Sequence, residues 1–152
     1  MRACGRDERG AALVEFALIL PLLCALLFGI VQFGLAYDRK QSVNSAAREG
    51  ARLAGLEAST FLEITDRARS TYDIAAASSE PPEVEVLDGD ENSYGTRASG
   101  GGSSGVQTNM PCSETEGDEY VVVIVRSGYD FTIPFYGPAP ADITGRAEFR
   151  CE

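Results

Sequence analysis

Apolar residues crowd the start of the chain. Gly10–Tyr37 reads GAALVEFALILPLLCALLFGIVQFGLAY, with one carboxylate, Glu15, and from Phe16 onward one clearly polar side chain, Gln32. The 22 residues from Phe16 to Tyr37 would cover about 33 Å as a helix, enough for a hydrocarbon core of roughly 30 Å. The pattern therefore predicts a membrane-spanning helix over residues 11–37. Pro21, Gly29 and Gly34 agree with it, because such residues are commoner in membrane helices than in soluble ones. A cleaved secretory signal would have an apolar stretch of only about 7–15 residues. A lipoprotein site at Cys24 would want a small residue before it, and Leu23 stands there.

Beyond Tyr37 the period stays helical. Val43, Ala46, Ala47, Gly50, Ala51, Leu53, Ala54 and Leu56 recur on one side of a proline-free stretch, Asp38–Ser59, so the helix is expected to continue out of the membrane. Ala46, Gly50 and Ala54 form one ridge of small residues, and Ala47, Ala51 and Gly55 another. Such ridges admit a close backbone, either the domain's own sheet or a second subunit. Arg48 and Arg52 beside them read as a solvated edge. Thr60-Phe61-Leu62-Glu63 fits a capping box, and Phe61, Ile64, Ala68, Tyr72 and Ala75 trace an apolar stripe to about Ala77 before Pro81-Pro82 ends the helix.

The rest alternates. Glu83–Leu87 predicts a strand with its valines on one face. Asp88–Gly117, rich in Gly, Ser, Asp and Glu, predicts a flexible acidic loop. Glu119–Arg126, EYVVVIVR, predicts a buried strand. Ser127-Gly128 is a turn signal, after which Tyr129–Phe135 would run back with Tyr129, Phe131 and Ile133 on one side. Gly137–Pro140 reads as a loop and Asp142–Cys151 as a last strand. The expected class is α+β, with a long N-terminal helix, a second helix and a three- or four-stranded antiparallel sheet.

Charge places the surplus on the domain. The chain carries a net −10, and from Asp38 onward ten basic residues face twenty acidic ones. Such a surface will not seek nucleic acid or anionic lipid. The charged leader, Met1–Gly10, holds Cys4, and the span holds Cys24. Cys112 and Cys151 are then the pair left in the outer domain, and an oxidising exterior predicts a disulfide between them.

Candidate chemistry is sparse. There is no histidine, which removes the usual triads and imidazole metal sites. The single lysine, Lys40, reads as a headgroup anchor. Asp88-Gly-Asp90-Glu-Asn92 is similar to the opening of a calcium loop, but Ser93 stands where glycine makes the turn and Ser99 where glutamate chelates. A non-enzymatic protein without cofactor or metal is expected.

Glu15 is the exception to a purely structural span. A carboxylate at the centre of a membrane helix costs roughly 2.5–3.5 kcal/mol, so one near its edge asks for a partner. The motif Gly10-Ala-Ala-Leu-Val-Glu15-Phe16 resembles the prepilin-peptidase site of type IV pilin-like proteins, in the Flp form with an aromatic after the glutamate; Phe16 stands where Flp pilins usually have tyrosine. RGAALVEFALILPLL, then SAAREGARLAG at Ser45–Gly55, and more weakly the closing AEFRCE, resemble the TadE-like family of tight-adherence (Flp) pilus assembly proteins. The resemblance implies a type IV pilin-like fold and a pseudopilin-like protein that assembles or primes a tight-adherence pilus. It implies cleavage by a prepilin peptidase between Gly10 and Ala11, with Glu15 and Phe16 read in recognition and assembly. It further implies a bacterial cytoplasmic membrane, N-terminus in and domain 38–152 out, with other pilins or pseudopilins and the secretion machinery as partners. The alternative is a membrane-anchored extracytoplasmic binding module that never polymerises.

Overall fold

The computed structural model describes residues 7–56, 59–72, 80–106, 112, 120–133 and 136–151. Cys4, Ala75, Ala77, Glu119 and Phe135, each invoked above, lie outside them. Helix α1 runs unbroken over Asp7–Ala54, 48 residues, a rod of about 72 Å. It passes through Pro21, which removes one backbone bond; in apolar surroundings the helical form still satisfies the rest. The apolar run and the small-residue segment are thus one element. Its first half exposes its apolar side chains, while from Arg39 onward one face is buried, through Val43, Ala46, Ala47, Ala51 and Ala54.

Helix α2 covers Phe61–Thr71 and begins at the expected capping box. The Thr60 hydroxyl accepts from the Glu63 N–H at 3.3 Å and the Glu63 carboxylate accepts from the Thr60 N–H at 2.9 Å. Two N–H groups that the first turn leaves open are thereby satisfied. Phe61, Ile64, Thr65 and Ala68 are buried.

Among the described residues five strands, rather than the expected three or four, form one antiparallel sheet: β1 Glu83–Asp88, β2 Ser93–Arg97, β3 Ser103–Ser104, β4 Tyr120–Ile133 and β5 Gly137–Arg150, in the order β3-β2-β1-β4-β5. Three expectations are corrected. The stretch 88–117 is partly sheet, since Ser93–Arg97 pairs with β1 and Ser103–Ser104 with β2. Ser127-Gly128 is not a turn but mid-strand, opposite Ile143 and Asp142, and Pro138 and Pro140 belong to β5 rather than to a loop. Those prolines are tolerated because β5 is an edge strand and they occupy alternate positions, so both missing N–H groups fall on the side away from β4. The ladder instead runs on to Ile133 opposite Gly137, whose φ of 89° suits glycine.

Both helices lie on one face of the sheet. Val84, Val86, Val121, Val123 and Val125 meet Val43, Ala46, Ala47, Ala51, Ile64 and Ala68 in one core cluster. Gly50 sits where a Cβ would lie 3.1 Å from Ala68 Cβ and 3.2 Å from Val123 Cγ1, and at Gly145 one would lie 2.7 Å from the Val43 carbonyl oxygen. The small residues let α1 seat directly on β4 and β5. The predicted disulfide is present, joining Cys112 to Cys151 across a Cα separation of 5.2 Å.

Candidate functional site

The sequence-predicted site residues fall into two groups. Gly10, Ala11, Glu15 and Phe16 lie on the exposed first turns of α1, and the apolar window of the helix is wholly unburied within the chain. Ala11 and Glu15 are four apart and share a helix face. Nothing in the described domain reaches them. The bond between Gly10 and Ala11 lies in the first described turn of α1, which is described from Asp7.

The second group is already occupied. Ala46, Ala47, Gly50, Ala51, Ala54 and Gly55 are all buried in the chain's own fold. Of the two partners the ridges allow, the structure supplies the domain's sheet and α2. A Cβ at Gly55 would come 2.4 Å from Phe149 Cδ1, so this stripe has no room for a second subunit. Arg48 and Arg52 remain on the exposed edge, and Arg52 reaches Glu49 at 3.3 Å.

Between the groups lies a junction that sequence reasoning missed. Arg39 is 7% exposed, donates to the Gly128 carbonyl at 2.6 Å, and holds its guanidinium carbon 5.0 Å from the Tyr129 ring centre. A cation over an aromatic face gains from the ring quadrupole, most where water is excluded. The Tyr129 hydroxyl lies 2.9 Å from Gln32 Oε1 and donates to it, and the Tyr129 ring meets Phe131 edge-on at 4.6 Å. Lys40, read as a headgroup anchor, donates instead to the Thr144 carbonyl. Four contacts thus bind the far half of the β4–β5 hairpin to the stretch where α1 leaves its apolar run. Gln32, the one polar residue of that run, was the available signal.

Ion pairs fix the remaining elements. Arg67 bridges α2 to Glu49 of α1 at 2.6 Å, and Arg97 of β2 bonds Thr65 at 3.0 Å and pairs with Asp66. The Arg67 and Arg52 guanidiniums hold the Glu49 carboxyl below its ordinary value. A cavity of about 490 Å³ between β1 and the hairpin is lined by Glu80, Glu83, Arg126, Asp130 and Asp142. Among the described residues its one cation is Arg126, already taken by Glu83 and Glu85 at 3.0 and 2.8 Å.

The described residues therefore define a helix-and-sheet protein with one helix long and apolar enough to cross a membrane, carrying an α+β domain at its far end. The family described as TadE-like protein matches over residues 10–52, the stretch on which the resemblance rested, and this likeness ties the chain to tight-adherence pilus systems. No curated protein and no solved structure matches it.

Proposed function

We propose that the chain is a pseudopilin-like protein of the bacterial cytoplasmic membrane, non-enzymatic, that assembles or primes a tight-adherence pilus after a prepilin peptidase cuts between Gly10 and Ala11. The observation that carries this reading is the family match itself, which begins at Gly10 and runs through the span into the buried stripe. The N-terminus faces the cytoplasm and the acidic domain lies outside. Cleavage gives Ala11 a free amine and makes Glu15 the fifth residue. In a bundle of such helices the amine of one copy and the Glu15 carboxylate of its neighbour would pair, because low dielectric strengthens the attraction and penalises either charge left alone. That pairing sets the register between copies, while Leu13, Leu18, Leu22 and their neighbours, all exposed on α1, supply the packing surface. The other partners are pilins or pseudopilins and the secretion machinery.

N-terminal sequencing of the protein from piliated cells tests the cut. Ala11 as first residue supports it, and an intact Met1 removes it. Glu15→Ala is expected to leave membrane insertion unchanged and to lower piliation in a complementation assay. Wild-type piliation by that variant would remove the register role from Glu15.

A further inference from the structure

The β4–β5 hairpin is longer than the domain needs. β1 covers β4 only as far as Arg126, opposite Glu83, yet the β4–β5 ladder continues to Ile133 and Gly137. The continuation heads toward the N-terminal end of α1. Gly145 lies beside Val43, Gly128 accepts from Arg39, and Tyr129 bonds Gln32. Inward-facing positions stay half-buried out to Phe131, Ala139 and Gly137, with exposed Thr132, Pro138 and Pro140 between them. Beyond Tyr129, β4 runs four more residues, about 13 Å at strand rise.

That distance lies alongside the apolar run. Gln32 precedes Tyr37 by five residues, so the Tyr129 contact is already about 8 Å inside the run's end. The 21 residues Ala11–Val31 alone cover about 31 Å, a full hydrocarbon core. Gln32, half-buried and bonded by Tyr129, then marks the edge of that core, and the hairpin beyond Tyr129 meets the bilayer. We propose that the tip of the β4–β5 hairpin is a second membrane anchor, seated in the headgroup and upper acyl region of the leaflet that α1 leaves at its C-terminal end.

The chemistry of the tip fits that place. No charged residue occurs from Phe131 to Ala141, in a domain otherwise dense with carboxylates. Tyr136 is 90% exposed at the turn, where an aromatic with a polar end suits the interface. An open strand edge is costly in lipid because its N–H groups find no water. Pro138 and Pro140 remove two such donors from the outer edge of β5. Asp130, next to Tyr129, stays at headgroup level.

The proposal rests on α1 being a span, and one set of variants separates the two. The chain has no tryptophan, so each substitution installs a sole indole. The full-length Tyr136→Trp, Phe28→Trp and Tyr120→Trp proteins are reconstituted in phosphatidylethanolamine and phosphatidylglycerol vesicles, with and without brominated acyl chains. All three positions are exposed, so folding is undisturbed. Expected are blue-shifted emission and bromine quenching for Tyr136→Trp and Phe28→Trp, with water-like, unquenched emission for Tyr120→Trp at the far end of β4. Water-like, unquenched Tyr136→Trp beside quenched Phe28→Trp overturns the anchor and leaves the span. Quenching of Tyr120→Trp equal to that of Tyr136→Trp also overturns it, since the tip would then not be distinguished. Absence of quenching in all three removes span and anchor together.

Discussion

Gly145 is the point at which the seating of the sheet on α1 is most exposed to a single methyl group. A Cβ there would lie 2.7 Å from the Val43 carbonyl oxygen and 2.8 Å from its carbon, about 0.7 Å inside the 3.4 Å at which ordinary contact begins. The obstacles include helix backbone, so relief requires β5 to move off α1. Overpacking of this kind costs roughly 1–3 kcal/mol. Against it stands the ordinary gain of Gly→Ala from a less flexible unfolded chain, about 0.4–1 kcal/mol. Gly145→Ala should therefore destabilise the domain by about 1–2 kcal/mol. Gly128→Ala is the matched control: it lies in the same ladder, and nothing stands within 4 Å of its Cβ position, so only the gain should appear.

Urea unfolding of the full chain in detergent micelles, followed by near-ultraviolet circular dichroism of the tyrosines, reads the difference. With a slope of about 1.5 kcal/mol per molar urea, the Gly145→Ala midpoint falls by roughly 1 M and the Gly128→Ala midpoint holds or rises. Equal midpoints for the two variants would refute the argument that backbone contact between β5 and α1 excludes a side chain at this position.

Other outcomes follow from the same contacts. Replacing Cys112 and Cys151 by serine opens a link across 39 residues of sequence and should cost up to about 4 kcal/mol on the chain-entropy account, read as a loss of urea midpoint matched by reductant treatment of the wild type. Thr60→Ala removes the hydroxyl of the α2 capping box and should cost about 1 kcal/mol in the same titration. Glu49 is held below its ordinary value first by the Arg67 hydrogen bond and then by Arg52. Its contribution is therefore whole above the ordinary carboxylate range and is lost as pH falls through the lowered value; Glu49→Gln should show a shallower loss of stability between neutral and acid pH than the wild type.

What could be read without coordinates divides along the range of the interactions. The long apolar helix, its continuation into Ala46–Ala54, the capping box at Thr60 and the core strand from Tyr120 are set by nearest neighbours and period, and each stands where expected. The hairpin does not. Ser127-Gly128 has the composition of a turn, but Gly128 fits a strand equally well, and a ladder running from Tyr120–Arg150 to Ile133–Gly137 outweighs one local signal. Ser93–Arg97, SYGTR, looks like loop sequence, yet Gly95 is buried under Phe61, where a Cβ would meet the ring at 2.9 Å. A strand chosen for close approach to a helix carries little hydrophobic signal of its own. The Tyr129–Gln32 bond joins residues 97 apart, and no reading of either neighbourhood pairs them.

The division of α1 constrains any assembly it enters. The stripe from Ala46 to Gly55 resembles a helix-dimer face, but it is spent on the chain's own sheet, and freeing it would expose Val43, Val123, Val125 and Ile64, all buried completely. Uncovering four such side chains costs roughly 6–12 kcal/mol, comparable to the whole stability of a small domain. Contacts between copies must therefore come from the unburied half, Ala11 to about Gln32, and from the outer surface of the domain. In lipid that half has no hydrophobic gain from association, since the tails are as apolar as leucine. On the proposed function, a polar pair at Glu15 would then weigh heavily in specifying register. Glu15 lies at the end of α1 farthest from the hairpin, so on that function, and with the hairpin tip as an anchor, the depth at which the domain is held would also set the depth at which the carboxylate meets its partner.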